Sequence, residues 1–354
     1  MEDKEFAQHV EDGAANGSDM SPVEKPTFGQ RLINHYRRFW WLHLIILIIV
    51  VLVVTLPLVY VGFPNIAQSQ LNKSSLLITA QEVTEPTTDS VQLAQTGTAV
   101  NPSSYHPNLD SFTASYYLLD TQPNIIPFGN VSFPAVHAEA RTTVSINQTF
   151  QILDQNQFLR YNQLTLSSKQ LQVGVRGKTK LHEMKFPTAN VDYNQIVTMN
   201  GLNNFEGFNI TSFNLSLTPQ GPDGANLIGE VFIPNPTVMT IAFGNVTFNV
   251  DVAGQNIGTS TLYDLILRPG NNTYPMRSTT NQTTVLGLIT SKYKDGVLPL
   301  DITGDSVVYN GVHLPYFEKP LQGNKQHVDL NLASALQTLG INITELTSGG
   351  GGGL

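Results

Sequence analysis

Between Phe39 and Gly62 the chain reads FWWLHLIILIIVVLVVTLPLVYVG, 24 residues without a formal charge. Coiled into a helix, the stretch reaches roughly 35 Å, enough to cross a hydrocarbon core of about 30 Å. A helix apolar on every face for this long is foreign to a soluble domain, so the run constrains everything that follows it. Trp40 and Trp41 stand at one end, Tyr60 and Phe63 at the other, where amphipathic rings take the two headgroup levels. Pro57, in the last turns, is expected to kink or end the helix. The run is too long for a signal-peptide core and 38 residues precede it, which points to an uncleaved anchor.

Arg31, Arg37 and Arg38 lie just before the run, whereas the first lysine after it is Lys73. This asymmetry keeps residues 1–38 in the cytosol and sends the rest across the membrane, a type II single-pass topology. The first 30 residues carry seven acids and few large apolar side chains, the composition of a disordered tether. Beyond the run, nine Asn-x-Ser/Thr acceptors occur, at Asn72, Asn130, Asn147, Asn209, Asn214, Asn245, Asn271, Asn281 and Asn342. A chain this rich in Asn, Ser and Thr would hold about five by chance, so the excess is modest. Asn16 also fits but falls on the cytosolic side and is expected to stay bare.

Charged residues make up 13% of the 354 and the net charge is −8. An acidic, charge-poor chain is a poor nucleic-acid binder, which excludes that class of partner. The absence of cysteine removes disulfides, thiolate metal sites and Cys nucleophiles together. Apolar residues at 41% suffice for a core.

From about residue 74 the chain becomes a series of short alternating or β-branched runs. Examples are Leu76–Thr79, Val91–Leu93, Leu164–Leu166, Leu171–Val175, Phe213–Leu217, Val231–Ile233 and Val246–Val250. Period-two runs spaced by Pro, Gly, Asn and Asp predict antiparallel strands with one buried face. Strand after strand without long helices predicts an all-β fold of sandwiches. Two helices are expected within it, Phe150–Arg160 and Leu330–Leu339, the second with Leu332, Leu336 and Leu339 on one stripe and Gly340 as its stop. Neither has a basic polar face, so core packing is expected over membrane contact.

Short strings recur at an offset of 134: Asn101-Pro102 as Asn235-Pro236, Asn147-Gln-Thr as Asn281-Gln-Thr, and Val173–Gly177 as Val307–Gly311. Phe128–Phe133 also resembles Phe243–Phe248, at an offset of 115. Together they predict a tandem duplication meeting near residues 203–208. The expected organisation is a disordered cytosolic tail (1–38), a transmembrane helix (39–62), a first lumenal sandwich (63–205), a second (206–346) and a Gly-rich tail (347–354).

The segments Gly229-Glu-Val-Phe-Ile-Pro-Asn-Pro-Thr-Val, Phe243-Gly-Asn-Val-Thr-Phe, Gly254-Gln-Asn-Ile-Gly258 and Leu265-Ile-Leu-Arg-Pro-Gly270-Asn, with Met199-Asn-Gly-Leu-Asn and Pro127-Phe-Gly-Asn upstream, resemble the fungal membrane-protein family DUF3712. The order strand, Asn-Pro, strand, Ile-Gly, strand is more distantly similar to the type 2 late-embryogenesis-abundant (LEA-2) domain. That resemblance implies seven-strand, immunoglobulin-like sandwiches, and it implies lipid held in a groove between sheet and helix. Here Leu332, Leu336 and Leu339 would line such a groove, and the same three leucines would equally serve as ordinary core.

No catalytic motif accompanies this frame. His182-Glu183 lacks the second histidine of a zinc-binding helix, and neither a nucleophile elbow nor a Walker loop occurs. Asp301, Asp305 and Glu318 are the nearest approach to a cation cluster, with the wrong spacing for a calcium loop. No cofactor and no enzymatic activity are expected. The expectation is a type II membrane glycoprotein that binds lipid or regulates at the fungal vacuole membrane. The alternative is a structural or protein-interaction glycoprotein of the cell surface, and its protein partners are unknown from sequence.

Overall fold

The computed structural model describes residues 28–342 and Glu345, so most of residues 1–38, Asn16 among them, and the Gly-rich tail lie outside the described residues. Residues up to Leu58 and residues from Val59 onward form separate compact units. The first holds α1 (Phe28–Pro57), whose Leu, Ile and Val side chains from Leu44 onward are exposed. Among the described residues, one helical stretch is long and apolar enough to cross a membrane. Pro57 closes α1, and a π-helical turn, Leu58–Gly62, follows. Proline has no N–H to give and its ring crowds the carbonyl one turn back, so the regular ladder cannot pass through it.

After the short helix α2 (Phe63–Lys73) come seven strands of seven or more residues: β1 (Ser75–Thr84), β2 (Ser90–Val100), β3 (Phe112–Leu118), β4 (Pro127–Phe133), β5 (Arg141–Gln151), β6 (Gln170–His182) and β7 (Ala189–Asn200). Helix α3 (Gln155–Ser167) sits between β5 and β6. A second set follows: β8 (Asn209–Leu215), β9 (Leu227–Asn235), β10 (Met239–Val252), β11 (Gln255–Leu267), β12 (Gly270–Thr280), β13 (Val297–Tyr309) and β14 (Lys325–Asn331). Here α4 (Gln282–Ser291) lies between β12 and β13, α5 (Pro315–Gln322) between β13 and β14, and α6 (Ala333–Thr338) at the end.

The pairings reveal the duplication. In the first set β1 pairs β2, β2 pairs β5, β3 pairs β4 and β6, and β6 pairs β7, all antiparallel. In the second, every one of these recurs seven strands later: β8 with β9, β9 with β12, β10 with β11 and β13, and β13 with β14. The corresponding residues differ from the sequence reading. Asn101 directly follows β2 and Asn235 ends the equivalent β9, but Asn147 lies within β5 while Asn281 caps α4. The counterpart of Asn281 is Asp154, the cap of α3. Likewise Gly177 answers to Gly304, each at the same place in β6 and β13. The second set's shorter β10–β11 turn, two residues against the eight between β3 and β4, already lowers the offset, and a shorter link before the helix lowers it again.

The two halves are continuous with each other. β1 pairs in parallel with β10, Gln81 opposite Met239 and Val83 opposite Ile241, so one sheet runs β8-β9-β12-β11-β10-β1-β2-β5 through both. The second sheet, β4-β3-β6 with β7 beside β6, closes the first half. Phe317 of α5, from the second half, packs in the same core cluster as Phe158 and Tyr161 of α3, and the Tyr316 hydroxyl donates to the Thr87 carbonyl at 2.6 Å.

Both expected helices need correction. Phe150 belongs to β5, and α3 begins only after Asp154, whose carboxylate accepts from the Gln157 N–H at 2.9 Å. Its last turn takes in Leu164–Leu166, read above as strand, because Phe158, Tyr161, Thr165 and Leu166 form a buried helical face. At the other end Leu330 and Asn331 stay in β14 and the helix shrinks to Ala333–Thr338. Gly340 does stop it: at φ +78° its N–H bonds Gln337 O at 3.0 Å and the Ile341 N–H bonds Leu336 O at 2.9 Å, the two bonds of a Schellman end.

Candidate functional site: two related apolar cavities

A narrow cavity of about 50 Å3 lies at the same place in each half, between the sheets and beneath the helix that follows its fifth strand, the first closed also by Met239, Ile241 and Phe317 of the second half. In the first half Tyr116, opposite Val175 and Gly129 in the ladders, Phe128 before that glycine, and Phe158 on α3 line it. In the second half the equivalent places hold Val250, opposite Ile302 and Gly258, Ile257 before that glycine, and Val285 on α4. At these three places aromatic rings in one are aliphatic side chains in the other, while Phe208 and Phe248 line the second elsewhere.

The polar groups differ too. Around the first cavity Tyr161 is buried, and burial pushes its phenol up. Neither Gln81 Oε1 nor Thr165 Oγ1 has a hydrogen-bond partner. Tyr116, which accepts from Gln95 Nε2 at 3.2 Å, is pushed to about 12 by burial. Around the second cavity the polar side chains are hydroxyls only: Ser260, Ser278 and Thr280. Thr280 is occupied, its Oγ1 and N–H both donating to Asn226 Oδ1 at 2.8 Å. The rest of its wall is apolar and offers dispersion and desolvation to a guest.

The three leucines divide. Leu332, 3% exposed, lines the second cavity at the N-terminal edge of α6. Leu336 is buried in the same core away from its wall, and Leu339 is half-buried. Leu298, Leu300 and Leu330, on β13 and β14, complete the wall with Leu332. Sequence reading missed Val285 because α4 was not expected. Its signal was present: Asn281 caps the Thr284 N–H at 3.1 Å, and Val285, Leu288 and Ile289 follow at helical spacing, with Gly287 weakening the pattern.

The acids read as a cation cluster are engaged separately. Asp301 bonds His327 Nδ1 at 2.5 Å and Lys325 Nζ at 3.2 Å, and these, Lys325 foremost, lower its pKa. Asp305 accepts from Asn249 Nδ2. Glu318 accepts from the Val307 N–H at 3.1 Å and meets His313 Nδ1 at 2.6 Å. Among the described residues no group of three His, Asp or Glu is placed to hold a metal ion. Of the nine acceptor asparagines, eight are exposed, and Asn245 in β10 is half-buried with its Oδ1 accepting from the Asp264 N–H at 3.0 Å.

Residues 126–250 match the family DUF3712, described as a protein of unknown function. The match starts just before β4 and ends in β10, so it straddles the junction of the halves and takes in the Asn235-Pro236 turn. No curated protein matches the chain. Solved structures align weakly. Red sea bream transglutaminase is 11% identical over 72% of this chain, which spans 31% of that one, with a TM-score of 0.23. An adhesin from Mobiluncus mulieris is 9% identical over 66% of this chain and 81% of that one, TM-score 0.20. The Salmonella enterica SafA pilin in complex with the SafB chaperone gives 12% over 66% and 90%, TM-score 0.17. Scores this low transfer neither fold nor function.

Proposed function

We propose that this chain is a membrane-anchored, N-glycosylated protein whose second sandwich takes the acyl end of a lipid into the cavity beneath α4. The observation that carries this reading is the composition of that cavity: a wall of aliphatic side chains with the rings of Phe208 and Phe248, and the hydroxyls of Ser260, Ser278 and Thr280 as its polar exceptions. Such a wall favours saturated hydrocarbon over any polar ligand. The present space fits a few methylene groups, so a longer chain needs α4 to lift. That helix is suited to yielding, since only Val285 and Ile289 of its ten residues are buried. The exposed acceptor asparagines support a lumenal face, and a place at the fungal vacuole membrane rests on the family resemblance alone.

Mass spectrometry of residues 63–346, made in a eukaryotic secretory host and purified without detergent, tests the reading. One acyl lipid per folded chain, lost when Val285→Trp fills the cavity, supports it. A folded domain free of lipid in the parent chain overturns it and moves the function to protein contacts at a cell surface.

A further inference from the structure

The turn joining β6 to β7 carries an apolar lip that the rest of the fold leaves exposed to water. Met184 at its tip is 80% exposed and Phe186 44%. The Phe186 ring stacks on Phe63, the first residue of α2, with centroids 4.8 Å apart and 11° between planes. Ile66, one turn along α2, is 51% exposed. Met184 sits at φ +45°, a backbone region in which a bulky side chain is rare.

The seat beneath the lip is firmly made. Asp192 N–H donates to Gln68 Oε1 at 2.7 Å and Gln68 Nε2 returns to Asp192 O at 2.8 Å. Gln195 Nε2 donates to Leu71 O at 3.0 Å. Ala67 and Leu71 are buried against Leu181, Ala189 and Val191 in a small core of their own. α2 therefore lies fixed along β7, and Phe63 and Phe186 cannot separate without breaking these contacts.

Chain connectivity then sets the height of the lip. Phe63 directly follows Gly62, the last residue of the apolar run. Where that run crosses a bilayer, Phe63 stands at the headgroup level, and a ring stacked on it stands there too. We propose that Phe63, Ile66, Met184 and Phe186 seat in the membrane leaflet from which the chain emerges, with the exposed Lys185 ammonium among the lipid phosphates. The proposal rests on the spanning reading of residues 39–62 and is independent of the acyl cavity. Its consequence is a first sandwich pinned to the bilayer surface at two points of the chain, the anchor and the β6–β7 turn.

The chain has no cysteine, so single substitutions Met184→Cys, Val53→Cys and Gln255→Cys each accept one environment-sensitive nitrobenzoxadiazole label. The full chain is reconstituted in vesicles of phosphatidylcholine and phosphatidylserine, with and without a doxyl quencher high on the acyl chain. Val53 lies within the apolar run, and Gln255 lies in the exposed hairpin at the end of β10 away from its seam with β1. Quenching at 184 several-fold above that at 255, alongside quenching at 53, supports the lip. Quenching at 53 with 184 no more quenched than 255 overturns the lip and leaves the span standing. Absence of quenching at 53 removes the span and the lip with it.

Discussion

The tip of the Phe150 ring occupies the space in which a side chain at Gly129 would stand: a Cβ there would meet Phe150 Cζ at 2.0 Å and Cε1 at 2.4 Å. Across the same half, Gly174 serves the Tyr117 ring in the same way, with 2.2 Å to Cζ. Large rings thus lie directly on backbone in the first sandwich, and the glycine of the Phe-Gly-Asn string is a seat for one of them. Gly129→Ala is expected to destabilise residues 63–346 by about 3 kcal/mol through overpacking. Urea unfolding measures it, and adding Phe150→Leu should recover part of the loss.

Asn235, 1% exposed, holds the β9–β10 turn with both ends of its amide. Its Nδ2 donates to Met239 O at 2.8 Å, and its Oδ1 accepts from the Thr237 N–H and hydroxyl at 2.9 and 2.7 Å. Thr237 Oγ1 in turn accepts from the Met239 N–H at 2.9 Å. Asn235→Ala strands a buried carbonyl and a buried N–H together, a cost of about 2–4 kcal/mol. Asn235→Asp should be as harmful, since it turns a carboxylate toward Met239 O. Thermal unfolding of both variants checks this.

Leu332 and Leu339 lie on the stripe read from sequence but differ in depth. Leu332→Ala opens space on the cavity wall and is expected to cost about 2–4 kcal/mol, whereas Leu339→Ala, at a half-buried place, should cost about 1 kcal/mol or less. Denaturant midpoints for the two variants, with unchanged slopes, separate them. Equal costs would contradict this placement of the helix.

Acid should uncouple the loop before β9. Arg277 Nε and Nη2 grip Asp223 at 2.5 and 2.7 Å, and this hydrogen-bonded guanidinium holds the Asp223 carboxyl well below the usual carboxylate range. A lowered folded pKa gives stability that is full above the unfolded value of about 3.9 and fades as pH falls toward the folded one. The difference in melting temperature between the parent and Asp223→Asn should therefore stay constant from about pH 8 to pH 5 and close below about pH 4. A difference that closes already between pH 7 and 5 would contradict it.

Sugar attachment should follow exposure. Enzymatic deglycosylation followed by peptide mass spectrometry of chain from a secretory host is expected to find glycan among the eight exposed asparagines and none on Asn245, whose amide oxygen is committed to Asp264 and whose side chain is half-buried.

Much of the architecture was legible in the chain. The apolar run, the alternation of Leu171–Val175 and Val246–Val250, and the Asn-Pro turn each carry local physics strong enough to declare itself. The misreadings have local causes as well. Leu164-Thr-Leu166 alternates like a strand, yet Asp154 starts a helix ten residues earlier and the buried face of that helix decides the matter. Asn281-Gln-Thr repeats Asn147-Gln-Thr in letters, but one is a cap and the other mid-strand, because three-residue identity says nothing about hydrogen-bond duty. Of the cavity, the leucine stripe singles out Leu332, but the rest of the wall could not be read. Its wall draws Leu227, Val250, Val285 and Leu330 from distant elements, and only folding puts them together.

The parallel seam between β1 and β10 also fixes an order of events. Gln81 meets Met239, a partner made roughly 160 residues later, so at synthesis rates of 5–20 residues per second β1 waits about ten to thirty seconds with one edge open. Closing so wide a loop is entropically slow, and an unpaired edge invites foreign strands. A nascent chain of this kind keeps that edge exposed until its second repeat arrives, and a break in synthesis after the first would leave an adhesive fragment.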